Sequence, residues 1–150
     1  MKANLILILF AVLAGAVLPI QAGLNVQLGK SVHQPVFAAF ASFLIGSIGL
    51  LIYLVIIKFD FGSVVQVREV SPTVWLAGIL GAFYVAAVIV LAPKLGTALT
   101  FSLVVTGQMI ISLVLDHYGL LSLPVQEINW QRLIGVVLLT AGVLMIRGFN

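Results

Sequence analysis

The sequence contains no cysteine. Disulfides, thiolate nucleophiles and Cys-based metal sites are excluded, and the compartment stays open. Charge is almost as scarce. Seven Lys and Arg and four Asp and Glu make up 7% of 150 residues, where a soluble domain carries about a quarter. With 63% of the residues hydrophobic, little polar surface remains to face water, so lipid is the solvent for most of the chain. The net charge of +3 reflects a shortage of acids, and the basic residues are scattered singly, which argues against nucleic acid as a partner. His33 and His117 fall in different connections with no ligand spacing around them, so no metal site is expected.

A spanning helix needs about 20 mainly apolar residues. Five such runs occur, at residues 4–23, 36–57, 73–92, 95–115 and 130–147. They are continuous, without the alternation of a membrane barrel. The expected fold is therefore an all-α integral membrane protein with five transmembrane helices, residues 1–150 forming a single transmembrane domain. The first run, with Met1-Lys2 ahead of it and Ala14-Gly15-Ala16 within it, also fits a signal peptide. Its apolar stretch continues to Ile20, which favours retention as a span.

Ionisable residues are missing from the middle of every span. Such residues are the usual proton relays, ion sites and voltage sensors. A carboxylate-based exchanger is disfavoured unless Asp116, His117 or Glu127 folds back into the bundle. Serines are present without a base at depth to activate them, and no phosphate loop or zinc motif occurs. Neither an enzyme nor a cofactor is expected.

Odd span number places the termini on opposite sides. Lys2, Lys58, Arg68 and Arg132 then share the N-terminal side, and Lys30, Lys94 and Arg147 the other. The positive-inside rule needs a clear excess on one side, and four against three gives none. Two readings stay open: insertion in both orientations with pairing of inverted copies, or one orientation that so few charges do not reveal.

Several spans carry features that meet other helices. Ser42, Gly46 and Gly49, then Gly78, Ala82 and Ala86, then Gly135 and Gly142 form small-residue stripes of the kind that pack in lipid. On the fourth span Thr97, Thr100, Gln108 and Ser112 fall within about 120° of one another at 100° per residue. Ser102 and Thr106 lie opposite, where hydroxyls bond carbonyls one turn earlier. An unpaired amide at the depth of Gln108 costs several kcal/mol, so a partner is required, either a clasping helix or a cavity. Near the end of the first span, Pro19 frees a carbonyl, and Gln21 and Asn25 stand one turn apart, with Gln27 beyond. This is a transport-like break or simply a polar helix end. Tyr84 lies midway along the third span and needs a hydroxyl partner, while Trp75 and Trp130 suit the membrane interface.

The segment Gln21-Ala-Gly-Leu-Asn25-Val-Gln27-Leu-Gly-Lys30, the run from Trp75-Leu-Ala-Gly78 to Leu91-Ala-Pro93, Gly96-Thr-Ala, and the closing Gly135-Val-Val-Leu-Leu-Thr-Ala-Gly142 carry a resemblance. Over nearly its whole length the chain resembles the small bacterial inner-membrane proteins of the DUF606 or YdcZ-like family, within the drug/metabolite transporter (DMT) superfamily. The resemblance implies inverted five-helix units, and for a lone copy with balanced charge an antiparallel homodimer of dual topology, or a homologous partner of opposite topology. It also implies location in the bacterial inner membrane. Related small multidrug exporters carry an essential glutamate in their first helix. Here that helix has no acid, and Gln21 is the nearest polar residue.

The leading expectation is a small-molecule transporter working by alternating access, its cavity lined by Gln21, Asn25, Tyr84, Thr100 and Gln108. Neutral amides and hydroxyls offer donors and acceptors together, which suits a small polar or amphipathic metabolite. A passive pore, or a structural subunit in contact with membrane lipids, are the alternatives.

Overall fold

The computed structural model describes the backbone of residues 2–148 and the side chains of residues 5–148. Five α-helices follow one another: α1 (Lys2–Ser31), α2 (Pro35–Ile56), α3 (Leu76–Leu95), α4 (Thr97–Tyr118) and α5 (Trp130–Gly148). All five are long and apolar enough to cross a membrane, and no strand occurs among the described residues. Short 3-10 helices fill the α2–α3 connection (Phe61–Glu69 and Pro72–Trp75) and follow α4 (Leu120–Ser122).

The first helix is longer than its apolar run. Residues 24–35 read as a polar connection, yet α1 continues through Asn25 and Gln27 to Ser31. Polar side chains do not break a helix, and neither Pro19 nor the glycines of this segment end it. Thirty residues give about 45 Å at 1.5 Å each, against a hydrocarbon core of about 30 Å. The polar C-terminal turns therefore reach the level of the headgroups. The helix stops where His33 takes a left-handed conformation (φ 55), with Gln34 N–H donating to Gly29 O at 2.9 Å, a Schellman-type closure. Pro35 then opens α2 with its φ already suited to the first helical turn.

Pro93 does not end α3 either. It lies in the last turn, where the missing backbone donor costs least, and the helix ends at Gly96 (φ 81, ψ 151), a backbone region open essentially to glycine alone. One residue thus separates α3 from α4.

The chain divides into two compact units, residues 1–94 and 95–150. In the first, Ala38, Ala39 and Ile89 form a small core, with Val26, Leu28, Val85 and Ala86 packed against it. Close approach depends on small residues. A Cβ on Gly29 would lie 3.3 Å from Pro35 Cα and 3.6 Å from both Ala38 Cβ and Ile89 Cγ2. Away from this core the helices are bare. Every large apolar side chain from Leu5 to Leu13 is at least 57% exposed, so the first half of α1 is not covered within its own unit. Ser42 and Ala86 of the small-residue stripes meet neighbours, but among the described residues of each unit nothing lies within 4 Å of a Cβ built at Gly46, Gly49, Gly78, Gly135 or Gly142.

In the second unit α4 packs on α5. The connection between them is tied by Gln126 N–H to Asp116 O at 2.8 Å and Ile128 N–H to His117 Nδ1 at 3.3 Å. Asn129 Oδ1 accepts from Arg132 N–H at 2.9 Å, a side-chain cap at the start of α5. Gly119 closes α4 in the left-handed region (φ 59), and a Cβ there would come 2.6 Å from Val125 Cγ2. Gly119→Ala is expected to lower the thermal unfolding temperature in detergent, with about 1 kcal/mol from the left-handed backbone and more from the clash. Adding Val125→Ala, at an exposed position, should restore only the steric part; equal stability of G119A and wild type would refute this closure.

Candidate functional site

Backbone–side-chain chemistry settles several hydroxyls in the spans. Ser47 Oγ donates to Phe43 O (2.8 Å), Thr106 Oγ1 to Ser102 O (2.9 Å) and Thr140 Oγ1 to Val136 O (2.8 Å). A hydroxyl can fold back on the carbonyl one turn earlier in its own helix at little cost. An amide has two donors and an acceptor with two lone pairs and cannot be satisfied that way. The amides therefore decide where polar partners are needed.

Gln21 and Asn25 are brought together. Asn25 is 7% exposed, and its Nδ2 lies 3.4 Å from Ser42 Oγ. Gln21 Nε2 approaches the same oxygen at 3.5 Å. The i, i+4 spacing puts both amides on one face of α1, and α2 supplies the shared acceptor. Both contacts are at the long end for a hydrogen bond. Each amide keeps its carbonyl oxygen without a partner among the described residues, so the cluster retains accepting capacity. Beside it, Gln21 and Ser42 line a recess of about 240 Å³ with Phe43, Gly46, Ser47 and Leu50. Ser42 was legible only as a small residue in a packing stripe; its partnership with α1 depends on how the two helices meet.

Tyr84 sits half-buried on α3, and its hydroxyl has no hydrogen-bond partner among the described residues. The remaining two residues belong to α4. Thr100 is 1% exposed, and its hydroxyl donates to Gly96 O at 2.8 Å, which leaves it acceptor capacity only. Gln108 is different. It lies at mid-helix, is exposed, and makes no hydrogen bond among the described residues. Ser112 and Asp116 follow at four-residue spacing, so a polar line runs along α4 from Gln108 toward its C-terminal end.

That line ends in an ion pair. Arg132 Nη1 contacts Asp116 Oδ2 at 3.2 Å, and the same guanidinium donates to Gln126 O at 3.3 Å and to Gln126 Oε1. Ser112, Asp116 and Arg132 line a recess of about 230 Å³ with Met109, Leu113 and Gly135. Asp116 and Arg132 are each about a third exposed, at 32% and 28%. The pair is more a structural tie across the α4–α5 connection than a buried charge site. No group of three or more His, Asp or Glu able to hold a metal occurs among the described residues.

A family model described as "Putative inner membrane exporter, YdcZ" matches residues 6–145. No curated protein and no solved structure matches the chain.

Removing the shared acceptor tests the α1–α2 cluster. Ser42→Ala leaves the buried Asn25 amide without its partner, and about 1–3 kcal/mol of stability should be lost. Gln21→Ala, at an exposed position, should cost clearly less. Thermal unfolding of both variants in detergent decides: an unchanged S42A protein would mean that Asn25 finds its partner elsewhere.

Proposed function

The chain belongs to the YdcZ family of inner-membrane exporters, and we propose that residues 1–150 form one transmembrane domain of a small-molecule transporter that pairs with an inverted second copy. At the coarser level the family supports a multi-pass inner-membrane transporter and favours transport over catalysis. The observation that carries the finer reading is Gln108. An exposed amide without a partner among the described residues at the depth of the hydrocarbon costs several kcal/mol, and a cavity enclosed with a second copy removes that cost.

Three further features support pairing. The open glycine stripes on α2, α3 and α5 offer close helix approach. The bare first half of α1 supplies an apolar face. Four basic residues against three across the membrane leave neither orientation favoured. In such a pair, as in inverted-repeat transporters, binding at mid-membrane and rocking of one unit against the other give alternating access.

Gln21, Asn25, Tyr84, Thr100 and Gln108 are the proposed lining. Neutral donors and acceptors bind a small polar or amphipathic metabolite better than a bare ion, because no fixed charge replaces an ion's hydration. Export is the direction that the family's description carries.

Absence of cysteine makes the test clean. Topology reporters on each terminus should return both orientations in comparable amounts, and single cysteines at Gly78 or Gly142 should crosslink copies of opposite orientation. One orientation only, with no inverted crosslink, would overturn the homodimeric transporter.

A further inference from the structure

A recess of the first unit lies where α1 turns into α2, beside the end of α3. It is about 500 Å³, within the range of small-molecule and lipid-chain sites. Its wall is apolar, with Val26, Ile89 and Val90, and its rim carries Lys30, His33 and Lys94. No acid takes part. The first unit's acids, Asp60 and Glu69, belong to the α2–α3 connection, at the other end of α2 and α3. Among the described residues the one ion pair is Arg132–Asp116, so neither lysine is neutralised by a carboxylate.

Helix ends modify this charge without reversing it. Lys30 and Lys94 stand in the last turns of α1 and α3, where the dipoles contribute about −0.5 each, while the N-terminus of α2 contributes about +0.5. Two ammonium groups against a dipole sum of about −0.5 leave about +1.5 before His33 is counted. Complementing the helix ends therefore uses only part of the charge. His33 sets an imidazole hydrogen-bonding group beside it from a left-handed position (φ 55) at which helix closures usually place glycine.

We propose that this groove holds an anionic phospholipid, with the phosphate at Lys30, His33 and Lys94 and an acyl chain along Val26, Ile89 and Val90. The combination of basic rim and apolar wall favours a lipid over a free phosphate, which would leave the wall uncovered. The level is right as well, because the polar end of α1 reaches the headgroups. Lipid headgroups bind basic pockets between membrane helices on these terms. A second copy of the chain is the weaker occupant. Inverted, it would bring its own α2–α3 connection, but Asp60 Oδ1 already accepts from Gly62 N–H at 2.9 Å, leaving Glu69 as the free acid.

The full-length protein, delipidated in neutral detergent, is titrated with dioleoylphosphatidylglycerol, with dioleoylphosphatidylcholine, and with inorganic phosphate. Retention is read by native mass spectrometry and by thermal unfolding. Phosphatidylglycerol should be retained and should raise the unfolding temperature; the other two should do neither. Lys30→Gln with Lys94→Gln should weaken phosphatidylglycerol binding about 30-fold, near fivefold per lysine, with lipid-free unfolding lowered only slightly by the lost helix-end complement. Val90→Trp, filling the groove from a position 38% exposed, should weaken it too. Equal retention of the two lipids, stabilisation by phosphate alone, or a K30Q/K94Q protein within twofold of wild type would each overturn the proposal. So would a Lys94→Glu defect repaired by Glu69→Lys, which would assign the groove to a second copy.

Discussion

Hydrocarbon offers no hydrogen bonds, so each polar group at membrane depth must find its partner in protein or in enclosed water. The backbone meets this demand by being helical through all five spans. Several hydroxyls meet it locally, on carbonyls one turn earlier. The amides are the groups that local chemistry cannot satisfy. Asn25 and Gln21 draw on Ser42 across the α1–α2 contact, and Gln108 has nothing comparable among the described residues of its own unit. The proposed inverted partner and central cavity follow chiefly from that unmet demand.

Internal packing is correspondingly thin. One small core joins Ala38, Ala39 and Ile89, and long stretches of α1 and α2 bury almost nothing. In water such exposure would cause aggregation. In a bilayer it costs nothing by itself, because lipid tails are as apolar as leucine. What lipid cannot replace is close packing at glycine, and Gly46, Gly49, Gly78, Gly135 and Gly142 stand open among the described residues. The same economy explains the ends of the helices. Lys30 and Lys94 lie where headgroups begin, and Trp75 and Trp130, both largely exposed, open α3 and the last helix at the membrane interface.

Much of the architecture is readable from apolar run length. The five spans emerge directly, since about 20 residues of hydrophobic sequence leave few alternatives. Helix ends are less legible. Asn25, Gln27 and Lys30 suggest a loop by polarity, but polarity marks the water boundary and not the end of the helix; α1 stops only where His33 turns left-handed. Pro93 misleads in the same way, because a proline in a last turn is tolerated and Gly96 makes the break. Among the candidate site residues, Gln21 and Asn25 share a face by spacing alone. Their common partner Ser42 needed the packing of α2. Thr100 reads as part of a polar face with Gln108, yet its hydroxyl is turned to its own backbone, a choice of rotamer that spacing does not encode.

Water at Gln108 is the most direct test. With no native cysteine, Gln108→Cys can be reconstituted into bilayers and labelled with a membrane-impermeant thiol reagent. Phe10→Cys, in the bare apolar half of α1, serves as the reference. A cavity open to one aqueous side predicts labelling at least about tenfold faster at position 108, as expected for a wet site beside one in hydrocarbon. Equal, negligible labelling at both positions would place Gln108 in lipid or in a dry helix contact and contradict a transport cavity there.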